Sequence, residues 1–328
     1  MRKWILVALL LCSVTALAQV RKAKAQIVSA KVEPIKMPKD TTTIRLTFNR
    51  MKRAEEKWFK FNQVTLNMSE VAFSNWSAGG ENSVSGLMTG RFRRRYNERT
   101  FFWDNILEID YGINAQTGRE LRKTDDKFLI VSSFGYRGNT QSYWYYTARY
   151  QLLTQMSNGY KYPDTDHPIS KLFAPAYITF GLGAEYAPQR VKLNLFLSPM
   201  TLKTTVVLNK ALSEQGAFGV EKGRRTNSEL GFSISGRWDK KLMENMDLNT
   251  NFTLYGDYLK NFGNIDIDWE TGLNLKVNNY VQARIGLHIK YDDDVKFESY
   301  KDNAGVTHSY GARTQFKQLL GVGVLYTF

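Results

Sequence analysis

Cysteine is almost absent from this 328-residue sequence, which contains only Cys12. A single cysteine cannot build a disulfide framework or a multi-thiolate metal site, so both are excluded as sources of stability within the chain. Proline is also scarce, with 7 residues, whereas hydrophobic residues make up 43% of the chain and aromatic residues 13%. This composition excludes a disordered chain and favours a large ordered β structure.

Long apolar runs are missing after the first twenty residues. A membrane-spanning helix needs about 18 to 20 consecutive apolar residues, and no later stretch of the sequence approaches that length. The sequence therefore excludes a helical membrane protein.

Residues 1–18 have the pattern of a secretory signal peptide. Two basic residues precede the apolar run Trp4–Val14, and Ala16–Ala18 is a small-x-small cleavage sequence. We predict export from the cytoplasm and cleavage directly after this sequence. The alternative, a lipoprotein anchored at Cys12, needs a small residue where Leu11 stands.

The net charge of +14 is concentrated near the N-terminus. Residues 1–60 carry 14 Lys and Arg against 4 Asp and Glu, while residues 61–328 carry 31 against 27. A nearly balanced body does not form a phosphate-binding surface, so nucleic acid is not expected as a partner. We expect residues 19–60 to form a basic periplasmic tether. Helix-forming residues at 49–60 could plug the lumen, lie on the inner leaflet or bind a periplasmic partner; a poorly ordered leader is the alternative.

From residue 61 onward, apolar and polar residues alternate as they do in β-strands. The number of strands is uncertain only at residues 191–209, where Ser198–Pro199 interrupts the alternation. Either a bulge or an additional hairpin accounts for the interruption. With a bulge, we predict twelve strands, near residues 61–74, 82–95, 101–113, 125–137, 142–156, 175–187, 191–209, 225–238, 244–258, 264–275, 280–292 and 312–328.

The predicted connections alternate between short and mostly long ones. This alternation is typical of outer-membrane barrels, which have tight periplasmic turns and longer extracellular loops. The sequence therefore predicts an all-β protein, a transmembrane antiparallel β-barrel of about twelve strands over residues 61–328, with both chain ends on the periplasmic side.

The last strand and several short motifs resemble known outer-membrane proteins. In residues 319–328, Leu320, Val322, Val324, Tyr326 and Phe328 share one face. The strand resembles the closing strand of bacterial outer-membrane barrels, whose terminal aromatic residue is recognised by the barrel-insertion machinery. The other motifs are Asn75–Ser83, Asp110–Gly112, Asp125–Asp126, Gln155–Tyr160, Ser198–Pro199, Gly216–Gly219 and Asp266–Glu270.

With the closing strand, these motifs are similar to a family of outer-membrane proteins from diderm bacteria that is numbered 3078 among the domains of unknown function. The resemblance covers most of residues 60–328. It implies a barrel in the outer membrane, surrounded by membrane lipid and lipopolysaccharide, and it assigns no functional residues.

Charged residues of both signs alternate on the strand faces opposite to the apolar ones. Opposite charges in a confined polar interior are expected to pair, so they predict a network that either fills the lumen or lines a narrow pore. The residues are Arg91, Arg93 and Arg95 on the second strand, Asp104, Glu108 and Asp110 on the third, and Asp266, Asp268 and Glu270 on the tenth.

Acidic residues recur where the predicted strands reach the exterior. Asp125, Asp126, Asp292, Asp293 and Asp294 supply hard oxygen ligands that suit Ca²⁺ or Mg²⁺ at the cell surface. Solvated strand ends are the alternative. No other cofactor is expected.

A second polar cluster, Asp164, Asp166 and His167, lies in the longest early loop. At the outer rim it could act as an acid/base group or bind a cation, and ordinary loop polarity is the alternative. His288 lies on the predicted lumen face, where hydrogen bonding to charged neighbours is the default role of a histidine.

The motifs of soluble catalysis are missing: there is no Gly-rich phosphate loop, no His-Glu-x-x-His and no Gly-x-Ser-x-Gly. We therefore expect a monomeric outer-membrane barrel that acts as a narrow passive channel or solute-binding conduit rather than an enzyme. Two alternatives stay open. One is a hydrolase of lipid or lipopolysaccharide assembled from distant residues, and the other is a structural barrel whose residues 19–60 bind a periplasmic partner.

Deleting Phe328 tests the predicted assembly signal. Because the terminal aromatic would be read during insertion, the truncated chain should yield several-fold less heat-modifiable protein in outer-membrane fractions. The measurement is the folded-to-unfolded band ratio on unheated gels. Normal assembly of the truncated chain would argue against such a signal.

Overall fold

The computed structural model describes residues 57–72, 81–188, 191–259, 263–292, 296–301 and 307–328. The predicted signal peptide and most of the predicted tether, up to residue 56, lie outside the described residues.

Sixteen strands, numbered along the chain, occur in the described residues, and twelve of them close into an antiparallel barrel. The twelve staves are β1 (Trp58–Val71), β2 (Ser83–Asn97), β3 (Phe101–Gln116), β4 (Arg122–Tyr136), β5 (Trp144–Thr154), β8 (Ala176–Tyr186), β9 (Leu193–Val206), β10 (Thr226–Met243), β11 (Met246–Asp257), β12 (Ile265–Lys276), β13 (Val281–Tyr291) and β16 (Gln315–Thr327). The predicted fold class and strand number are confirmed.

Four short strands lie in the connections. They form two hairpins, β6 (Gly159–Tyr160) with β7 (Pro168–Ser170) and β14 (Lys296–Lys301) with β15 (Thr307–Ala312). A six-residue helix, α1 (Lys210–Gln215), is capped by the Asn209 side chain, which accepts a hydrogen bond from the Leu212 N–H at 3.1 Å. In the part of the chain that the structure describes, no helix is both long and apolar enough to cross a membrane.

The barrel closes between its first and last staves. The β1–β16 ladder runs from the Gln63–Thr327 pair to the Met68–Val322 pair and contains six pairs, whereas the β2–β3 ladder contains fifteen. Beside the Gln63–Thr327 pair, two hydrogen bonds join Asn62 to Phe328. The Asn62 backbone carbonyl accepts one from the Phe328 N–H at 3.1 Å, and the Asn62 side-chain amide donates the other to the Phe328 carbonyl at 3.0 Å. The last residue is therefore part of the closure.

The predicted apolar face of the last strand points outward. Leu320, Val322, Val324, Tyr326 and Phe328 are between 50% and 68% exposed. Such a surface would be unstable in water, and a barrel with this outer face and a charged interior is the arrangement required in lipid.

Aromatic side chains surround much of the end of the barrel where the short turns lie. Trp58, Trp103, Trp144, Tyr146 and Tyr326 are all more than 40% exposed near the ends of their strands. Trp58 and Trp103 also contact each other, with ring centroids 6.4 Å apart. This row matches the aromatic girdle that outer-membrane barrels place at the lipid–water interface.

The doubtful segment around Pro199 is one bulged strand and not two strands. The registers of β9 with β8 and with β10 each shift by one residue beside Ser198 and Pro199. Proline has no N–H to give to a ladder, so the bulge releases it from pairing. Gly183 lies opposite, where a Cβ would stand 1.9 Å from the Leu197 carbonyl oxygen, so only glycine fits there.

Two sequence expectations differ from the structure. The helix expected over residues 49–60 does not extend to its end, because Trp58 and Phe59 pair with Tyr96 and Arg95 in the β1–β2 ladder; residues 49–56 lie outside the described residues. The connection expected at residues 114–124 is shorter, since β3 and β4 continue to Gln116 and from Arg122.

The alternation of connection lengths is present. At one end of the barrel, the short-turn end, the connections have two to seven residues; at the other, the long-loop end, they have five to twenty-three. Two of the long loops, residues 155–175 and 207–225, pack together around the buried side chains Ala174, Val207, Leu212 and Val220. The long-loop end therefore carries an ordered cap.

Epitope insertion tests which end faces the cell exterior. A tag in the exposed turn at Asp164, within residues 157–174, should be accessible to antibody on intact cells, as should one in residues 293–311. A tag in residues 138–141, at the short-turn end, should react only after permeabilisation. The opposite pattern would reverse the assignment of the two ends.

Candidate functional site

The inward side chains enclose a cavity of about 1470 Å³. It extends from the short-turn end, where Pro188 and Lys192 line it, to Lys127, Glu270 and His288 further along the staves. Nineteen of its 46 lining residues are Lys, Arg, Asp or Glu, so we treat this interior as the candidate site.

The row of arginines on β2 lines this cavity, as the alternation of the sequence predicts. Arg93 Nε lies 2.8 Å from Oδ1 of Asp104, and Arg95 Nη1 lies 3.2 Å from Oδ2 of the same carboxylate. Arg91 Nε lies 3.3 Å from Oε1 of Glu108. Asp110 is the exception, because it pairs with Lys127 of β4 and not with an arginine.

Lys127 links opposite walls of the barrel. Its ammonium group lies 3.2 Å from Glu108, 3.4 Å from Asp110 and 3.9 Å from Glu270. Glu108 and Asp110 belong to the neighbouring stave β3, but Glu270 belongs to β12, six staves away in a ring of twelve. The interior is therefore crossed by an ionic contact along its diameter.

Two more arginines complete this network. Arg237 of β10 lies 3.7 Å from Glu108, and Arg284 of β13 lies 3.8 Å from Glu270. We call the whole group the Lys127 bridge. Its members are Arg91, Glu108, Asp110, Lys127, Arg237, Glu270 and Arg284.

A second crossing, the upper cluster, lies towards the long-loop end. Lys203 of β9 donates to Asp266 of β12 at 2.9 Å, lies 3.4 Å from Glu229, and stands 4.7 Å from the centre of the Tyr255 ring. Asp266 was predicted to belong to the lumen network, and this is where the structure places it. Since β9 and β12 are three staves apart, the upper cluster also narrows the interior.

One side of the interior is filled by Arg149 and Glu185. Glu185 is 1% exposed, and its carboxylate accepts a hydrogen bond from Arg149 Nη2 at 3.0 Å. Arg149 also donates to the Ser235 hydroxyl at 2.8 Å and lies over the Phe196 ring at 4.2 Å. These contacts join β5, β8, β9 and β10 on the inner side of the barrel.

His288 and Asp268 are neighbours on β13 and β12. His288 Nε2 lies 2.9 Å from Asp268 Oδ1, and Lys290 lies 3.5 Å from the same carboxylate. A hydrolase would also need a nucleophile hydrogen-bonded to this ring. Within the described residues, the only hydrogen bond of the ring is to Asp268.

Asp125 and Asp126 are not brought together. They are successive residues of β4, so their side chains point to opposite faces. Asp125 forms an ion pair with Lys317 inside the barrel. Asp126 instead anchors the start of a long loop, accepting hydrogen bonds from the N–H groups of Met156 at 2.7 Å and Ser157 at 2.8 Å.

The other predicted cation ligands are only partly described. Asp292 follows β13, and Asp293 and Asp294 lie outside the described residues. Within the described ranges, no three His, Cys, Asp or Glu side chains are grouped so that they could hold a metal ion.

The cluster predicted at the outer rim is a local turn. Asp164 accepts hydrogen bonds from the N–H groups of Asp166 at 2.9 Å and His167 at 3.1 Å, and its second oxygen lies 3.0 Å from His167 Nδ1. The donors of His167 and Asp166 hold the pKa of the Asp164 carboxyl below its usual range. These contacts all lie within four successive residues, and the His167 side chain is 86% exposed. They therefore match an ordinary polar turn.

Lys127, which contacts three carboxylates of the bridge, was missed by sequence reasoning. Rows of like charge on one strand face are visible in the sequence, whereas Lys127, Arg237 and Arg284 have no residue of like charge two positions away. The sequence did contain one indication of its position. Lys127 stands two residues after Asp125, so both side chains lie on the inward face of β4.

The closed barrel, its exposed apolar outer face and its charged interior define the chain as an outer-membrane β-barrel protein. A family model described as "Protein of unknown function (DUF3078)" matches residues 68–160. The resemblance stated from the sequence motifs is confirmed over this segment. No curated protein matches the chain.

Several solved structures are similar to this chain at low identity. The translocator domain of the autotransporter NalP from Neisseria meningitidis is 10% identical, with 88% of this chain and 94% of that chain covered and a TM-score of 0.35. An outer membrane channel from Pseudomonas putida F1 is 9% identical, with 82% and 95% covered and a TM-score of 0.38. A Pseudomonas aeruginosa FadL homologue is 10% identical, with 82% and 89% covered and a TM-score of 0.31.

Replacing Arg93 and Arg95 together with glutamine tests the pairing at Asp104. This carboxylate is 7% exposed, and the double variant would leave it without a cation, at a cost on the order of 3 kcal/mol. The thermal unfolding midpoint in detergent micelles should fall. Adding Asp104→Asn to the double variant removes the unpaired charge and should restore much of the loss; no recovery would mean that the arginines stabilise the barrel in another way.

Proposed function

We propose that this protein is a narrow, charge-lined conduit of the outer membrane that holds small solutes on the short-turn side of the Lys127 bridge. The contact between Lys127 and Glu270 carries the proposal, because it joins opposite walls of the 1470 Å³ cavity. A cavity of this volume exceeds the roughly 300 to 1,000 Å³ of typical ligand pockets, so it can take in a hydrated small molecule.

The size of the barrel fits a narrow conduit better than a wide pore. In a barrel of eight strands, side chains fill the interior, and in a barrel of sixteen the interior is an aqueous channel. In a barrel of twelve, the side chains that cross the interior decide how open it is. Here the Lys127 bridge and the upper cluster both cross it. A solute must therefore pass between paired charges.

The ion pairs of the Lys127 bridge can separate without disturbing the barrel wall. Its contacts to Lys127 are 3.2 to 3.9 Å long, and its carboxylates keep between 17% and 36% of their side-chain surface exposed. Water that reaches these carboxylates can solvate the charges when a pair separates, which lowers the cost of breaking it. Separating them to admit a solute therefore costs little compared with unfolding any stave.

The orientation follows from the connections. Short turns on the periplasmic side would open the cavity to the periplasm, after export through the signal peptide predicted at residues 1–18. The barrel would act as a monomer in lipid and lipopolysaccharide, with assembly through the terminal Phe328. Residues 19–60 could still bind a periplasmic partner without altering the lumen.

Planar-bilayer recordings of refolded protein test the conduit. The parent should show a small unitary conductance, and Lys127→Gln and Glu270→Gln should both raise it, since each removes one end of the crossing contact. Their selectivity should move in opposite directions, towards cations for Lys127→Gln and towards anions for Glu270→Gln, because the charges removed are opposite.

The control is Lys222→Gln, which removes one positive charge from an exposed loop outside the barrel and should leave conductance and selectivity unchanged. A parent and bridge variants that all fail to conduct would refute the conduit.

A further inference from the structure

We infer that the cavity binds small multivalent anions, such as polycarboxylates and phosphates, through the guanidinium groups of Arg91 and Arg284. This inference rests on the proposed conduit, for which it specifies the class of solute.

Positive charge is concentrated in the cavity. Twelve Lys and Arg residues line it against seven Asp and Glu residues, although residues 61–328 as a whole are close to balance. A recess lined mainly by one sign of charge focuses the electrostatic field and raises the local concentration of counter-ions. Small anions are therefore drawn into the cavity from the short-turn end.

Most of the arginines near that end are already occupied. Arg93 and Arg95 share the Asp104 carboxylate, which lies behind the lining residues. Arg137 donates to the Arg99 carbonyl at 2.9 and 3.0 Å and to the Ser142 carbonyl at 2.6 Å. These three guanidinium groups have few donors left for a ligand.

Arg91 and Arg284 are different. The Nε atom of each is buried and has no hydrogen-bond partner. Their nearest carboxylates, Glu108 and Glu270, lie at 3.3 and 3.8 Å, so the pairing is electrostatic rather than well bonded. A buried donor without a partner is unfavourable, and an anion that reached it would supply the missing acceptor.

The surroundings of Arg284 leave room for a ligand. Its side chain lies over the directly paired Gly272 and Gly286. A Cβ at Gly272 would lie 3.2 Å from Nη2, and one at Gly286 would lie 3.9 Å from Nε. Because neither residue projects a side chain, the planar guanidinium can turn towards the cavity.

The chemistry selects carboxylate or phosphate oxygens. A guanidinium presents its donors as a flat fork that matches two oxygens of either group. Arg91 and Arg284 contact the two carboxylates that Lys127 joins across the barrel. An anion with two charged groups can therefore compete with Glu108 and Glu270 at both ends of the bridge, and binding would loosen the crossing contact.

Calorimetric titration of the refolded full-length protein in detergent tests the site, with citrate and pyrophosphate as probes and chloride as the background ion. Both probes should bind the parent, and Arg91→Gln and Arg284→Gln should each weaken binding by about tenfold through loss of a charge-assisted contact. The matched control is Arg93→Gln, which removes the same charge two residues along the same stave but takes away a guanidinium already bonded to Asp104. It should change binding by less than about twofold.

Arg284→Lys controls for a folding defect, because it keeps the positive charge and removes only the planar guanidinium. This variant should run as folded protein on unheated gels and should still bind the probes more weakly than the parent. Absence of binding to the parent, or equal weakening by Arg91→Gln and Arg93→Gln, would overturn the inference. The titration does not require conduction. Binding without any bilayer conductance would remove the conduit and leave the anion site, whereas a cation-selective conductance without binding would remove the anion site and leave the conduit.

Discussion

The ammonium group of Lys127 holds opposite walls of the barrel interior together. Twelve staves make a ring too wide for short side chains on opposite walls to touch, so only long polar side chains can span it. Lys127 reaches the carboxylate of β12 from β4 and also holds two carboxylates of β3. Without Lys127, these three carboxylates would depend on arginines alone for counter-charge, and water would have to enter the confined space between them.

The need to pair every backbone polar group explains the contrast between the two faces of each stave. In lipid, every backbone polar group must find its partner within the protein, which only a closed ladder provides for strands. Closure then leaves the apolar residues nowhere but outside and the charged residues nowhere but inside. The outward Trp103 and the inward Asp104 are adjacent in the sequence for this reason.

Much of this architecture could be predicted from the sequence, because alternation is a local property. It yields the approximate number of staves and the inward row at Arg91, Arg93 and Arg95. It also marks Pro199 as the place where the pattern is interrupted, without deciding between a bulge and an additional hairpin. The partners across the lumen could not be predicted, since the Lys127–Glu270 contact depends on the stagger with which the ring closes. Asp125 and Asp126, two of the candidate cation ligands, face opposite ways for a local reason, because they are successive residues of one strand.

The seam between β1 and β16 has a consequence for how the chain folds. It has six pairs and is fastened at its end by contacts between Asn62 and Phe328, which are 266 positions apart in the sequence. Every other barrel ladder joins staves that are separated by at most 23 residues along the chain, so it closes a much shorter loop. The seam has to close a loop of nearly the entire barrel, which carries the largest entropy loss and gains the fewest backbone bonds. Seam formation is therefore the expected final event of folding, and until it occurs both terminal staves present unpaired edges that any other strand could join.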